Sequence, residues 1–150
     1  KLLLPSDNIV AESFDTGELN TKGKPIIKLR NHHVNTAADI PDEVEGVDIG
    51  PATAEAFSNA LTGAKTILWN GPMGIFEDPR FAQGTLSIAR AVAEATRAGG
   101  QSIIGGGDSV KAINQTGMAN QVTFMSTGGG ASLEFLEGKE LPGVAALTDK

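Results

Sequence analysis

The sequence predicts an α/β fold built on a mostly parallel sheet in three layers, and three observations carry that prediction. A short apolar segment, a glycine-rich turn and a helix-forming stretch follow one another repeatedly from residue 50 onward. The strand candidates are continuous apolar runs more than strict alternations, as expected where helices cover both faces of a sheet. Between them, apolar residues recur at helical spacing.

Taken in order, Lys1-Leu2-Leu3-Leu4-Pro5 reads as an apolar strand already in progress. It lacks an initiating Met and the basic stretch, long apolar core and cleavage site of a secretory signal, so the expectation is a piece of something larger. Asn8 to Ala11 is a second short apolar segment, after a Pro-Ser-Asp turn. Residues 12–24 are polar, Pro25 to Arg30 is β-prone, and Asn31 to Glu45, with two His and a Pro, reads as loop. Pro51 to Leu61 predicts a helix with Ala56, Phe57, Ala60 and Leu61 on one face. Phe81 to Ala98 predicts another, with Phe81, Ile88, Val92 and Ala95 inward. The three strand-and-turn units are Thr66–Trp69 into Asn70-Gly71-Pro72-Met73-Gly74, Ser102–Ile104 into Gly105-Gly106-Gly107-Asp108, and Val122–Met125 into Thr127-Gly128-Gly129-Gly130. A strand–helix–strand rhythm of this kind gives parallel strands, whose carboxyl ends are where such sheets bind ligands.

Composition narrows the function classes. Leu, Ile, Val and Phe fill about a quarter of the 150 positions, enough for one domain's core. The net charge is −6 with the signs interspersed, so no basic face exists to follow a nucleic-acid backbone. No apolar run approaches a membrane span, and with no cysteine there is no thiolate chemistry or disulfide framework. A cytoplasmic protein without nucleic-acid or membrane partners is the expectation.

The glycine turns admit two readings. A helix N-terminus exposes N–H groups and the positive end of its dipole, and side-chain-free residues let a phosphate approach them. Glycine also serves tight strand-to-helix turns and close packing. A P-loop is excluded, because Gly17 and Gly23 enclose five residues and Lys24 is followed by Pro25. The dinucleotide fingerprint is excluded too, since Val110 and Leu133 stand where its third glycine belongs. Asp108, at a helix start, would repel a phosphate unless a cation such as magnesium lay between them; it could equally be a plain N-cap. Glu77 could accept from a ribose diol, and considered alone it is a solvated surface charge.

Other features keep plain readings. His32 and His33 are adjacent and form no tetrahedral ligand set. Asn114-Gln115-Thr116 fits a glycosylation sequon by chance. Trp69 reads as core or interdomain packing rather than a base-stacking platform.

Three long motifs, Trp69-Asn70-Gly71-Pro72-Met73-Gly74-Ile75-Phe76-Glu77, Ile104 to Ser109 and Ser126 to Lys139, resemble the carboxyl-terminal half of the phosphoglycerate kinases. Asp48-Ile49-Gly50-Pro51 and Leu141-Pro142-Gly143-Val144 match as well; the match is weakest over 12–45. The resemblance implies a Rossmann-like nucleotide domain over residues 1–150, from a two-domain, monomeric parent whose amino-terminal domain holds 3-phosphoglycerate or 1,3-bisphosphoglycerate. It implies that Gly50, Asn70, Gly71 and Pro72 border the adenosine and Glu77 takes the ribose. Gly106, Gly107, Asp108 and Ser109 would hold the phosphates of ADP or ATP, with Asp108 on Mg2+. Gly107, Gly129 and Gly130 would act on the phosphoryl group in flight. The family's catalytic arginine, its sugar-acid-binding basic cluster and its nucleotide-facing lysine have no counterpart in the matched motifs; Lys22, Lys24, Lys28 and Arg30 lie outside them. Ser109 stands where many relatives carry Thr, which keeps the hydroxyl. The alternative is a non-catalytic nucleotide- or anion-binding module reusing the same turns; Glu77 and Asp108 standing together in matched motifs favour the kinase.

Overall fold

A computed structural model describes residues 2–147, and the chain divides into two compact units. The first comprises residues up to 61 and 73–91, the second residues 62–72 and 92 onward.

The first unit is built on an antiparallel sheet of order β2-β1-β3, with β1 at Asn8–Leu19, β2 at Pro25–Asn35 and β3 at Glu45–Ile49. Helix α1 spans Pro51–Leu61, and the first half of α2, Gln83–Arg97, completes the unit. Pro25 to Arg30 is a strand, as its β-prone residues predict, but β2 continues through Asn31–Asn35, which the sequence reads as loop, and β1 continues to Leu19 through the polar stretch after Ala11. Most of β2 is exposed, so no core-facing stripe marks its second half as a strand. Its turn is set by Asn20, whose Oδ1 accepts from Lys22 N–H at 2.9 Å and Lys24 N–H at 3.1 Å. Irregularities in the ladder fall where Asn31 takes φ 52° and where Gly17 takes φ 76°. His32 therefore lies on a strand rather than a loop, with its ring edge-on to Phe81 at 5.5 Å between centroids. Ala11, Val47 and Phe81 form the buried core here, with Ile9 and Leu29 against it.

Two buried aspartates tie this unit together. Asp7, 5% exposed, accepts from Ala52 N–H at 3.0 Å and Thr53 N–H at 2.7 Å, so it caps α1 from 46 residues upstream. The Thr53 hydroxyl donates to the same carboxylate, and the Ser6 and Asp7 N–H groups donate to the Thr53 oxygen. Burial pushes the Asp7 carboxyl up, but the Thr53 and Ala52 donors outweigh it and hold it below the ordinary carboxylate range. Asp48 plays the same part for α2, accepting from Gly84 N–H at 2.8 Å. Burial dominates there and raises the Asp48 carboxyl despite the N–H groups of Gly84, Ile49 and Gln83. Thr53, rather than the predicted apolar face, is the buried residue of α1; Ala56 and Ala60 are exposed, and Phe57 and Leu61 are half-buried. Leu2 to Leu4 form no strand and Leu2 and Leu4 are largely exposed, while Lys1 lies outside the described residues.

The second unit carries the parallel sheet that the sequence predicts, in the order β4-β5-β6. Strands β4, Thr66–Trp69, and β5, Gln101–Gly105, pair with Ile67 opposite Ser102 and Trp69 opposite Ile104. Strand β6 is shorter than expected, Phe124–Ser126. Ahead of it the ladder gives way to side chains: Ser102 N–H donates to Thr123 Oγ1 at 3.0 Å and Thr123 N–H to Ser102 Oγ at 3.1 Å. Helix α2 begins at Gln83 rather than Phe81, which sits in a 3-10 turn after Pro79; Ile88, Val92 and Ala95 are buried as predicted. Helices α3, Gly107–Gln115, α4, Gly129–Leu136, and α5, Pro142–Ala145, complete the unit. The Asn114 sequon lies in α3 and its cap, with Asn114 Nδ2 bonded to Val110 O. Trp69 is buried, as the packing reading requires, with Nε1 donating to Gly71 O.

Replacing Asp7 with Ala removes the α1 cap and is expected to lower unfolding free energy by about 1–2 kcal/mol at pH 7. Because Asp7 is held low in the fold, its contribution is present above the unfolded carboxylate range and is lost as pH falls through the folded value. Urea titrations at pH 7 and at acid pH should therefore show the difference between Asp7→Ala and the unaltered chain shrinking on acidification; Asp48, held high, contributes with the opposite sign.

Candidate functional site

The three glycine turns sit at the carboxyl ends of β4, β5 and β6, where the register brings their ends level. They also touch. A Cβ on Gly129 would lie 2.9 Å from Gly106 Cα and 3.1 Å from Asn70 Oδ1, and one on Gly105 would lie 2.8 Å from that oxygen. Gly106 takes φ 91°, a conformation that L side chains rarely adopt, and donates its N–H to Ser126 O at 2.9 Å. At Gly105, Gly106 and Gly129 a side chain is excluded because the backbones converge around one carboxamide.

That carboxamide is incomplete. Asn70 Oδ1 is, among the described residues, the buried side-chain polar atom left without a hydrogen-bond partner. A buried acceptor without a donor costs roughly 1–3 kcal/mol, so it marks either strain or a place for a ligand group. An Asn amide can offer an acceptor or, rotated, a donor.

Helices α3 and α4 both open beside this carboxamide, and both have glycine at the N-cap, Gly106 and Gly128, with no side-chain cap bond. Gly129 N–H donates to Thr127 O at 3.1 Å, and the other first-turn N–H groups are left for other acceptors. Asp108 is not the cap: it lies inside α3, its carboxylate 68% exposed and 2.9 Å from Lys111 Nζ. The capping alternative for Asp108 is therefore not realised, and an exposed carboxylate remains at the positive end of a helix. Ser109, next in the turn, is buried. Gly107 and Gly130 have open space where a side chain would go. Among the described residues no three His, Cys, Asp or Glu are grouped to hold a metal, so a cation here needs ligands from a bound anion as well.

Asn70, Gly71, Pro72, Gly106, Gly107, Asp108, Ser109, Gly129 and Gly130 thus all belong to the second unit, whereas Gly50 and Glu77 belong to the first. Gly50 has a packing reason for being glycine, since a Cβ there would collide with the Asp7 carboxylate. Glu77 is an exposed residue on a firmly held turn. Upstream of it, Met73 N–H donates to Thr85 Oγ1 at 3.0 Å and Ile75 N–H to Val47 O at 2.9 Å. Downstream, Asp78 caps the 3-10 turn through Arg80 N–H at 3.0 Å and is forked by the Arg80 guanidinium, the nearest contact being 2.6 Å. That guanidinium holds the Asp78 carboxyl down to about 2. Asp48 stands in the sequence only as part of the Asp48–Pro51 match and nothing marks Thr85; the signal for their contacts is Gly84 inside a helical pattern.

The fold and the site define an α/β protein whose parallel strands end in glycine-rich turns around a buried, unpaired carboxamide. More narrowly, the chain belongs to the phosphoglycerate kinase family, whose model matches residues 1–139. It is 54% identical to the phosphoglycerate kinase of Pelodictyon phaeoclathratiforme over 149 residues, 99% of this chain and 34% of that protein. It is 52% identical to that of Clostridium novyi over 150 residues, again 34% of the relative. The structure of phosphoglycerate kinase from Coxiella burnetii superposes with a TM-score of 0.73 at 39% identity, over 97% of this chain and 34% of that one. That from Pyrococcus horikoshii gives 0.66 at 33% identity, over 95% and 31%. The chain spans about a third of the length of these relatives. No helix among the described residues is long and apolar enough to cross a membrane.

The convergence at Asn70 separates neighbouring glycines. Gly129→Ala should destabilise the chain by about 1–3 kcal/mol, because its Cβ would meet backbone. Gly130→Ala, with nothing within 4 Å, should be neutral or slightly stabilising. Chemical unfolding of the two variants side by side checks this; equal effects would contradict the crowding at Gly129.

Proposed function

We propose that this chain is the carboxyl-terminal part of the nucleotide-binding domain of a phosphoglycerate kinase. The parent enzyme moves a phosphoryl group reversibly between 1,3-bisphosphoglycerate and ADP, yielding 3-phosphoglycerate and ATP. The observation that carries the nucleotide reading is the buried Asn70 oxygen, unpartnered at the strand ends where α3 and α4 present uncapped first turns.

In this reading Asn70, Gly71 and Pro72 border the adenosine with Gly50, and Glu77 accepts from the ribose hydroxyls. The α3 turn, Gly106 to Ser109, receives the nucleotide phosphates on the backbone N–H groups of Gly107, Asp108 and Ser109, with the helix dipole favouring their charge, while Gly106, held by Ser126 O, gives them room. Gly107 and Gly130 donate backbone N–H groups to the phosphoryl group as it transfers, joined by Gly129 when its N–H leaves Thr127 O. No covalent nucleophile is required, since phosphoryl transfer is driven by positioning and charge stabilisation. Mg2+ fits these residues: Asp108 offers an exposed oxygen ligand, and a nucleotide's phosphates would supply others. When bound, the ion would neutralise charge between the phosphate oxygens. The phosphoglycerate, in this reading, is held on an amino-terminal domain lying outside this chain.

In the full-length kinase carrying this segment, Asp108→Ala and Glu77→Ala should each weaken Mg-ADP binding by on the order of 1–3 kcal/mol, read by titration calorimetry with and without magnesium. Unchanged affinity in both variants would remove the nucleotide reading. The 150-residue chain alone should show no magnesium-dependent turnover in a coupled assay, because it cannot hold the two substrates in line. Turnover that follows the chain through purification and disappears in Asp108→Ala would overturn this division of labour.

A further inference from the structure

We infer that Thr85 is a positioning residue for the nucleotide: its buried hydroxyl oxygen, by accepting Met73 N–H, fixes the turn that carries Glu77. The inference rests on the nucleotide reading above.

Thr85 is 1% exposed, in the first turn of α2. Hydroxyls further along the same helix do what helical Ser and Thr commonly do and donate to the carbonyl four residues back, Ser87 to Gln83 O at 2.9 Å and Thr96 to Val92 O at 2.8 Å. Thr85 instead receives a donor from outside the helix, Met73 N–H at 3.0 Å. Threonine is a poorer helix former than Ala or Leu, either of which would suit a site buried only for packing. The oxygen therefore has a use, and the partner shows what it is.

The turn it holds is fixed at four further points. Gly74 lies flat on β3, where a Cβ would come within 2.6 Å of Val47 O and 2.7 Å of Asp48 Cα. Ile75 N–H donates to Val47 O, and the Phe76 side chain is buried. Asp78 is locked by Arg80 on the other side. Glu77 is thus an exposed carboxylate between two anchored ends. Of the upstream anchors, Thr85 is the one made by a side chain's polar atom, so it can be removed without altering the backbone of the turn. Loss of the anchor lets Met73 and its neighbours spread over several conformations, and a nucleotide must then reselect the competent one.

The test is steady-state kinetics on the full-length kinase with Thr85→Val, Thr85→Ser, Thr85→Ala and Glu77→Ala. Thr85→Val should raise the nucleotide KM on the order of fivefold, the size of one lost hydrogen bond, with kcat and the phosphoglycerate KM within about twofold. Thr85→Ser, which keeps the oxygen, should restore the nucleotide KM. Where Thr85→Val fails to fold, Thr85→Ala and Thr85→Ser both lack the methyl group and differ in the oxygen alone, so their comparison reads the same effect. If Glu77→Ala raises the nucleotide KM while the Thr85 variants leave it unchanged, the positioning role is wrong and the nucleotide reading stands. If none of them, Glu77→Ala included, changes it, the ribose role of Glu77 falls and the inference falls with it. Equal losses in KM for both substrates would mean that Thr85 supports the fold at large, and would also overturn the proposal.

Discussion

Every α-helix begins with N–H groups that its own backbone cannot satisfy, and the way each of the longer helices meets that constraint organises this structure. Helices α1 and α2 are closed by buried carboxylates, Asp7 and Asp48, supplied from elsewhere in the chain. Helices α3 and α4 are opened by glycine and receive no side-chain cap. The first pair is thereby committed to holding the fold, and the second pair is left with unspent donors. In the second unit the open helix ends coincide with the carboxyl ends of parallel strands, which is why the proposed nucleotide site falls there rather than around α1.

The same contrast explains the glycines. At Gly50, Gly74 and Gly84 a side chain is excluded because an aspartate or a strand backbone passes through its place. At Gly105, Gly106 and Gly129 it is excluded by Asn70 and by the turns themselves. At Gly107 and Gly130 nothing from the protein fills the space. Glycine as protein packing and glycine as access for something else are therefore both present, a few residues apart.

The parallel sheet, its glycine turns and the buried face of α2 were legible in the sequence because local patterns specify them: apolar runs, turn chemistry and helical periodicity. The β1–β2 hairpin was legible only in part, at the apolar Asn8–Ala11 and the β-prone Pro25–Arg30. Elsewhere its strands are polar and mostly exposed, and register is set by the Asn20 turn and the backbone ladder. Asp108 could be placed at a helix start but its role as cap could not be decided, because that turns on whether Gly106 or Asp108 is the boundary residue. Asn70 was recognisable through its motif, yet its lack of a partner is a property of burial alone. Asp7 and Thr85 escaped notice for a related reason: their partners are Ala52, Thr53 and Met73, and nothing in the residues flanking them announces such pairings.

The capping aspartates also give the chain a direction. Asp7 precedes the N–H groups it binds by 46 residues at Thr53, and Asp48 precedes Gly84 by 36. A ribosome releases the acceptor first in both cases. Each helix therefore meets its cap as it emerges, instead of waiting with a frayed end for a residue not yet synthesised. The entropy of closing those loops grows only slowly with their length, so the long separation is a small penalty. Vectorial synthesis would then assemble the first unit in the order sheet, α1, α2, each step leaving in place the acceptor that the next helix bonds to.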